Sequence, residues 1–386
     1  MGAGRSARPK KVNDEQVTLL LQDLVRIPSV SPEGDPGTPL KNTGEARIAA
    51  YIAEFLRKLA LDVEVREIEP GRPNVIGRFS SQGARQSVAF APHTDTVSVA
   101  GMTIDPFAAE LRDGRLYGRG ACDTKGSLAA MLAGLANAVR QREFREGGLD
   151  VWFCALMGEE SGSHGARALL ERGFKADFAI AGEPTNCRVV HTHKGAMAFK
   201  IIMRGRSVHS SMPERGESAI KKMAEVVDYL LGEYTGSLQQ ICNALLGSPT
   251  INVGIIRGGS QTNIVPDYCE IEVDRRTLPG ESHDEILRHL RERLSAEVKL
   301  LGVCPPLSTD PQHPFIRALG RETIGAPWFC DAAVFAQHGI PAVAFGPGDV
   351  AQAHTADEFV EMDDVFQATR VIENFLLSCC RISQPE

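Results

Sequence analysis

The stretch from Val88 to Met157 restricts the fold most. Val88, Ala89, Phe90 and Ala91 form a short apolar run that reads as a buried strand, Ser127 to Val139 is an apolar helical run, and Leu149 to Met157 is a second strand. Strand, crossover helix, strand is the order of a parallel pair. The expected class is therefore α/β, with a twisted, largely parallel sheet flanked by helices. Chemistry on such a sheet belongs along one edge, beyond the carboxyl ends of the strands.

The residues found at those ends are chemically pointed. The first strand delivers His93 and Asp95, which lie two apart and so face the same way. His93 can offer one ring nitrogen to a cation while Asp95 steadies the other. A glycine-rich turn (Gly118, Gly120) then presents Asp123, and glycine lets such a turn bring its backbone close to an ion. The second strand runs into Gly158-Glu159-Glu160-Ser161-Gly162, the strand Phe178 to Ala181 into Gly182-Glu183-Pro184-Thr185, and the strand Ala342 to Phe345 into Gly346-Pro347-Gly348 and Ala353-His354-Thr355. Adjacent carboxylates repel, and one such pair alone reads as a solvated turn. In the functional reading one carboxylate holds a cation while its neighbour takes a proton from bound water. Recurrence of acid or histidine at successive strand ends favours the functional reading.

His93-Thr94-Asp95, Gly120-Ala121-Cys122-Asp123-Thr124-Lys125-Gly126, Gly158-Glu159-Glu160, Gly182-Glu183-Pro184-Thr185 and Ala353-His354 stand in the order and rough separation of the co-catalytic zinc amidohydrolases. The chain resembles that family, which includes acetylornithine deacetylase, succinyl-diaminopimelate desuccinylase, glutamate carboxypeptidase and the aminoacylases, from about Asn13 to Leu377. The resemblance implies two divalent metal ions. His93, Asp123 and Glu183 would ligate one, Asp123, Glu160 and His354 the other, with Asp123 bridging. It implies that Asp95 orients His93, that Glu159 is the general base and later acid, and that the Asp123-Thr124 peptide is cis. Imidazoles with carboxylates suit Zn(2+), with Co(2+) or Mn(2+) as alternatives. Two such cations can hold a hydroxide and polarise an amide carbonyl. No GxSxG elbow and no cysteine nucleophile motif competes with this reading.

Between the fourth and fifth motifs the pattern changes. Strand Val189 to Met203, helix Glu217 to Leu231, strands Thr250 to Ile256 and Asp267 to Arg275, helix His283 to Glu297 and strand Val298 to Leu301 give βαββαβ, a ferredoxin-like order. The expected domains are a disordered leader (1–12), a catalytic metal-binding domain (13–186 and 305–386) and an inserted lid and dimerisation domain (187–304). The resemblance implies a homodimer through this lid, in which His209 enters the partner subunit's site and donates to the carbonyl oxyanion. Asn263 and Arg276 match positions that contact substrate, and the fork of Arg276 suits a carboxylate.

Remaining stretches read as packing: helices Val17 to Val25 and Gly44 to Leu59, and strands Asp62 to Ile68 and Asn74 to Arg78. At 386 residues with a mixed net charge of -7, the chain has no basic footprint for nucleic acid or membrane, no apolar run near the roughly 20 residues that span a bilayer, and no secretory signal. Nine cysteines without CxxC pairs read as reduced thiols, and a cytoplasmic location is expected. The opening Met1-Gly2-Ala3-Gly4-Arg5-Ser6 matches a permissive myristoylation pattern. The resemblance implies hydrolysis of an N-acyl-L-amino acid, first N-acetylornithine and hence arginine biosynthesis. Succinyl-diaminopimelate, acetylcitrulline, and dipeptide or glutamate carboxypeptidase substrates stay open, as does a non-catalytic metal-binding homologue.

Overall fold

A computed structural model describes residues 11–33, 38–81 and 83–382. The chain divides into two compact units, one formed by residues 1–191, 309–324 and 330–386 and the other by 192–308 and 325–329. The expected boundary at 187–304 thus moves a few residues later at both ends.

The first unit is built on a nine-stranded sheet, six of whose strands are, in chain order, β1 (Asp62–Glu69), β2 (Arg72–Phe79), β3 (Gln86–Pro92), β4 (Leu149–Ala155), β5 (Phe178–Gly182) and β6 (Ala342–Phe345). They lie in the order β1-β2-β4-β3-β5-β6. Pairs β3/β4, β3/β5 and β5/β6 are parallel, whereas β1/β2 and β2/β4 are antiparallel. The parallel pair expected from the crossover is present, with β3 between β4 and β5. The edge that matters is therefore the row of carboxyl ends of central strands, not a lateral edge strand.

The crossover helix Gly126–Ala138 is buried along its whole length because it is made of small and aliphatic residues on every face. It packs against the long C-terminal helix Met362–Ile382 so closely that a Cβ on Gly134 would lie 2.7 Å from Cγ2 of Ile372. The first helix runs Asp14–Arg26, three residues earlier than its apolar pattern, because Asn13 and Gln16 form a reciprocal capping box. Lys11 and Val12, expected in a loose leader, are tied down. Val12 N–H donates to Asn137 Oδ1 at 2.8 Å, and Lys11 Nζ lies 2.9 Å from Glu373. The myristoylation pattern lies outside the described residues.

In the second unit four antiparallel strands lie in the order Thr250–Gly258, Tyr268–Thr277, Gly195–Arg204, Glu297–Cys304. Helices Ala219–Tyr229 and His283–Leu294 bury Met223, Val226, Leu287 and Leu290 with Phe199, Ile201, Ile271 and Val273 of the sheet. The order is that of a ferredoxin-like unit. The expected single strand from Val189 to Met203 is instead two, Val189–His193 and Gly195–Arg204. At the break, a Cβ on Gly195 would sit 2.5 Å from Thr277 Oγ1, so only glycine fits there. None of the nine cysteines forms a disulfide, and no helix among the described residues is long and apolar enough to cross a membrane.

Candidate metal centre

His93 leaves the end of β3 with its backbone still bridged to Leu156 beyond β4, and its ring is almost wholly buried. Nε2 stands 3.1 Å from Asp123 Oδ1. Nδ1 faces Asp95, 3.1 Å from its carbonyl oxygen and 3.5 Å from Oδ1. Asp95 does more than steady that ring. Its two carboxylate oxygens each accept a backbone N–H, from Glu159 and from Glu160, both at 3.1 Å. One buried carboxylate therefore ties the histidine of one strand end to the paired glutamates of the next.

Asp123 is presented by a turn in which Gly120 has φ of 80° and the Asp123-Thr124 peptide is cis, as the resemblance implies. The turn is held from beneath by Glu358. This fully buried carboxylate accepts N–H bonds from Gly120 (3.0 Å), Cys122 (2.9 Å) and Asp123 (3.0 Å), and pairs with Arg119 at 2.7 Å. His354 Nε2 then lies 3.2 Å from both Asp123 Oδ2 and Glu160 Oε1. Glu183 follows β5, where a Cβ on Gly346 would meet the Glu183 carbonyl oxygen at 2.6 Å. Thr124 Oγ1 donates to the carbonyl of Gly182 at 2.8 Å, linking the Asp123 turn to the Glu183 strand end.

The electrostatics follow from burial of so many acids. Burial pushes the carboxyls of Glu159 and Glu183 well above their usual range, and the charge of Glu183 on Glu159 and of Asp123 on Glu183 pushes them further. Burial and Asp123 likewise raise Glu160. For Asp123, burial is outweighed by His354 and His93, which hold its carboxyl low. Asp123 and Glu160 in turn raise His354 to about 10. Among the described residues no Lys or Arg pairs with Asp123, Glu159, Glu160 or Glu183. Ligating atoms of His93, Asp123 and Glu160 lie within 4.8 Å of one another. Oxygen and imidazole donors that converge with surplus negative charge, and without a built-in cation, fit divalent metal ions.

Seven of the ten site residues expected from sequence thus gather in the first unit: His93, Asp95, Asp123, Glu159, Glu160, Glu183 and His354. The other three belong to the second. His209 is exposed on a loop bridged to Ile264, with Asn263 beside it through the Ser210 N–H bond to the Asn263 carbonyl at 2.9 Å. Arg276 is half-buried on the strand Tyr268–Thr277, with Nε 2.9 Å from Asp274.

Two residues escaped the sequence reading. Glu358 is one, and Asp331 is the other, a buried carboxyl raised to about 6 by burial, whose charge acts on Glu159 and Glu183. Neither lies just beyond the carboxyl end of a strand: Asp331 opens the helix Asp331–Gln337 and Glu358 precedes the short strand Phe359–Glu361.

Comparisons with known proteins show the family and the fold. The model of peptidase family M20/M25/M40 matches residues 89–378. The chain is 32% identical over 368 residues to acetylornithine deacetylase from Vibrio campbellii, covering 89% of this chain and 94% of that protein. The fold is similar to that of a M20 family metallo-carboxypeptidase from Sulfolobus solfataricus (TM-score 0.77, 20% identity, covering 95% and 99% of the two chains). It is also similar to that of a dinuclear metal-binding M20 peptidase from Bacillus subtilis (TM-score 0.69, 18% identity, 95% and 98%).

Proposed function

The chain belongs to peptidase family M20/M25/M40, and on that premise we propose that this hydrolase is a metal-dependent deacylase of N-acyl-L-amino acids, with N-acetylornithine its substrate. The observation that carries the reading is the meeting of His93, Asp123, Glu160 and His354 beside a buried glutamate, Glu159, that binds none of them. The name of the curated relatives supports the choice of substrate.

His93, Asp123 and Glu183 would hold one divalent ion, and Asp123, Glu160 and His354 a second, zinc first, with cobalt or manganese as substitutes. Bound there, two such ions polarise an amide carbonyl and lower the pKa of water toward about 7. The chain supplies the rest. Glu159 is held by its own N–H to Asp95, so its carboxyl has a fixed origin from which to take a proton from the attacking water and pass it to the leaving amine. Asp95 keeps the His93 ring in one orientation.

The second unit would act as lid and dimerisation domain, with His209 reaching the partner subunit's site. Its Nδ1 accepts the Ser211 N–H at 3.2 Å, which leaves Nε2 as the donor that an oxyanion needs. Asn263 and Arg276 would bind the substrate, Arg276 through its carboxylate. Ornithine release would serve arginine biosynthesis in the cytoplasm.

The test is incubation of the protein with zinc or cobalt and acetylornithine, following free amine, with succinyl-diaminopimelate, acetylcitrulline and short dipeptides in parallel. The reading expects acetylornithine to turn over fastest and a chelator to abolish the rate. Faster cleavage of another substrate overturns the assignment, and no amine from any of them overturns the deacylase reading.

A further inference from the structure

The loop that carries Glu159 and Glu160 leaves β4 at Leu156 and re-enters a helix at His164. Its tip is held by Asp95, as described. Its base is held by a residue on a different strand. Asn74 of β2 is completely buried, and both halves of its amide are used. Oδ1 accepts the Met157 N–H at 3.0 Å, at the start of the loop, and Nδ2 donates to the Gly165 carbonyl at 2.9 Å, in the first turn of the helix that follows it. The two loop ends also bond each other, Gly165 N–H to Met157 O at 2.9 Å. There is no room to shift: a Cβ on Gly165 would lie 2.5 Å from Asn74 Oδ1 and equally close to Met157 O.

We infer that Asn74 is a positioning residue for the reaction proposed above, an amide clamp that sets where the Glu159-Glu160 pair stands relative to His93 and Asp123. The chemistry requires one donor and one acceptor on the same short side chain, because the two loop ends present one N–H and one carbonyl. Asn provides both, whereas Asp would face the Gly165 carbonyl with a second acceptor and Leu would leave the buried Met157 N–H without this partner. The effect acts through geometry. A clamp lost at the base lets the loop swing about its anchor at Asp95, and a displacement near 1 Å of a proton-transferring group costs about 100-fold in rate.

The inference rests on the hydrolase reading, so its test includes a readout that needs no turnover. Asn74→Asp and Asn74→Ala are made in the full chain, loaded with Co(2+), and compared with the unsubstituted protein by visible absorption, bound cobalt per chain, thermal midpoint and kcat and KM on acetylornithine. The expected result is a shifted cobalt spectrum, since Glu160 moves, and a fall in kcat of about 100-fold at little change in KM and cobalt content. A cobalt spectrum and kcat both within twofold of the unsubstituted protein, in a folded variant, overturn the clamp. If the unsubstituted protein cleaves nothing, the spectra alone decide the inference while the proposed reaction fails separately. Should neither variant fold, hydrogen exchange of the unsubstituted protein decides: the Met157 amide must exchange as slowly as those of Val151 to Ala155, and fast exchange overturns the bond on which the inference stands.

Discussion

Among the described residues of the first unit lie two clusters of carboxylates and histidine, and they differ in where their positive charge comes from. In one, Glu33, Glu69 and His164 offer ligand atoms within 4.8 Å of one another, as His93, Asp123 and Glu160 do in the other. Arg72 sits inside the first cluster. Its guanidinium is 2.8 Å from Glu33 and from Glu69 and forks onto the fully buried Glu45. The second cluster has only its imidazoles. The same residue types thus make a structural knot where an arginine is built in, and a candidate metal centre where none is. Donor count alone does not separate the two.

The largest effect that sharpens the contrast is on turnover. Glu159→Ala should keep both metal ions, because no proposed ligand is touched, and lose about 10⁴-fold in kcat, read by single-turnover amine release beside metal analysis. Next, Arg72→Met should lose about 3 to 5 kcal/mol of stability in denaturant unfolding, because Glu45 is left buried and unpaired, while the metal content stays unchanged. A third equivalent of zinc in the unsubstituted protein would break the distinction. The smallest of the three belongs to the support beneath Asp123. Glu358→Gln keeps an acceptor but loses the charge facing Arg119 and one lone-pair-rich oxygen, and should weaken metal affinity about 10- to 100-fold in competition with a chelator.

The sequence was most informative where function and chain order coincide. Short apolar runs ending in His93, Glu159-Glu160 and Glu183 were legible because a strand end is both a local pattern and the place where a parallel sheet does chemistry. The βαββαβ order of the second unit was legible for the same reason, since alternating and helical periods change at its element boundaries. The supports were not legible. Glu358 acts on backbone amides more than two hundred positions away, and Asn74 on two backbone groups across the sheet. Backbone donors and acceptors are identical at every residue, so no pairing of side-chain types announces such contacts. Arg72 was hidden likewise, because it lies before the expected strand Asn74 to Arg78 and its three carboxylate partners come together only in the fold. The capped start of the first helix was an available signal, Asn13 with Gln16, that the apolar period alone passes over.

Anomalous diffraction at the zinc edge, from crystals grown with zinc, tests the central claim most directly. The account predicts two peaks sharing Asp123, one about 2 Å from donor atoms of His93 and Glu183 and the other about 2 Å from those of Glu160 and His354. Zinc seated among Glu33, Glu69 and His164, with none bound to Asp123, would contradict it.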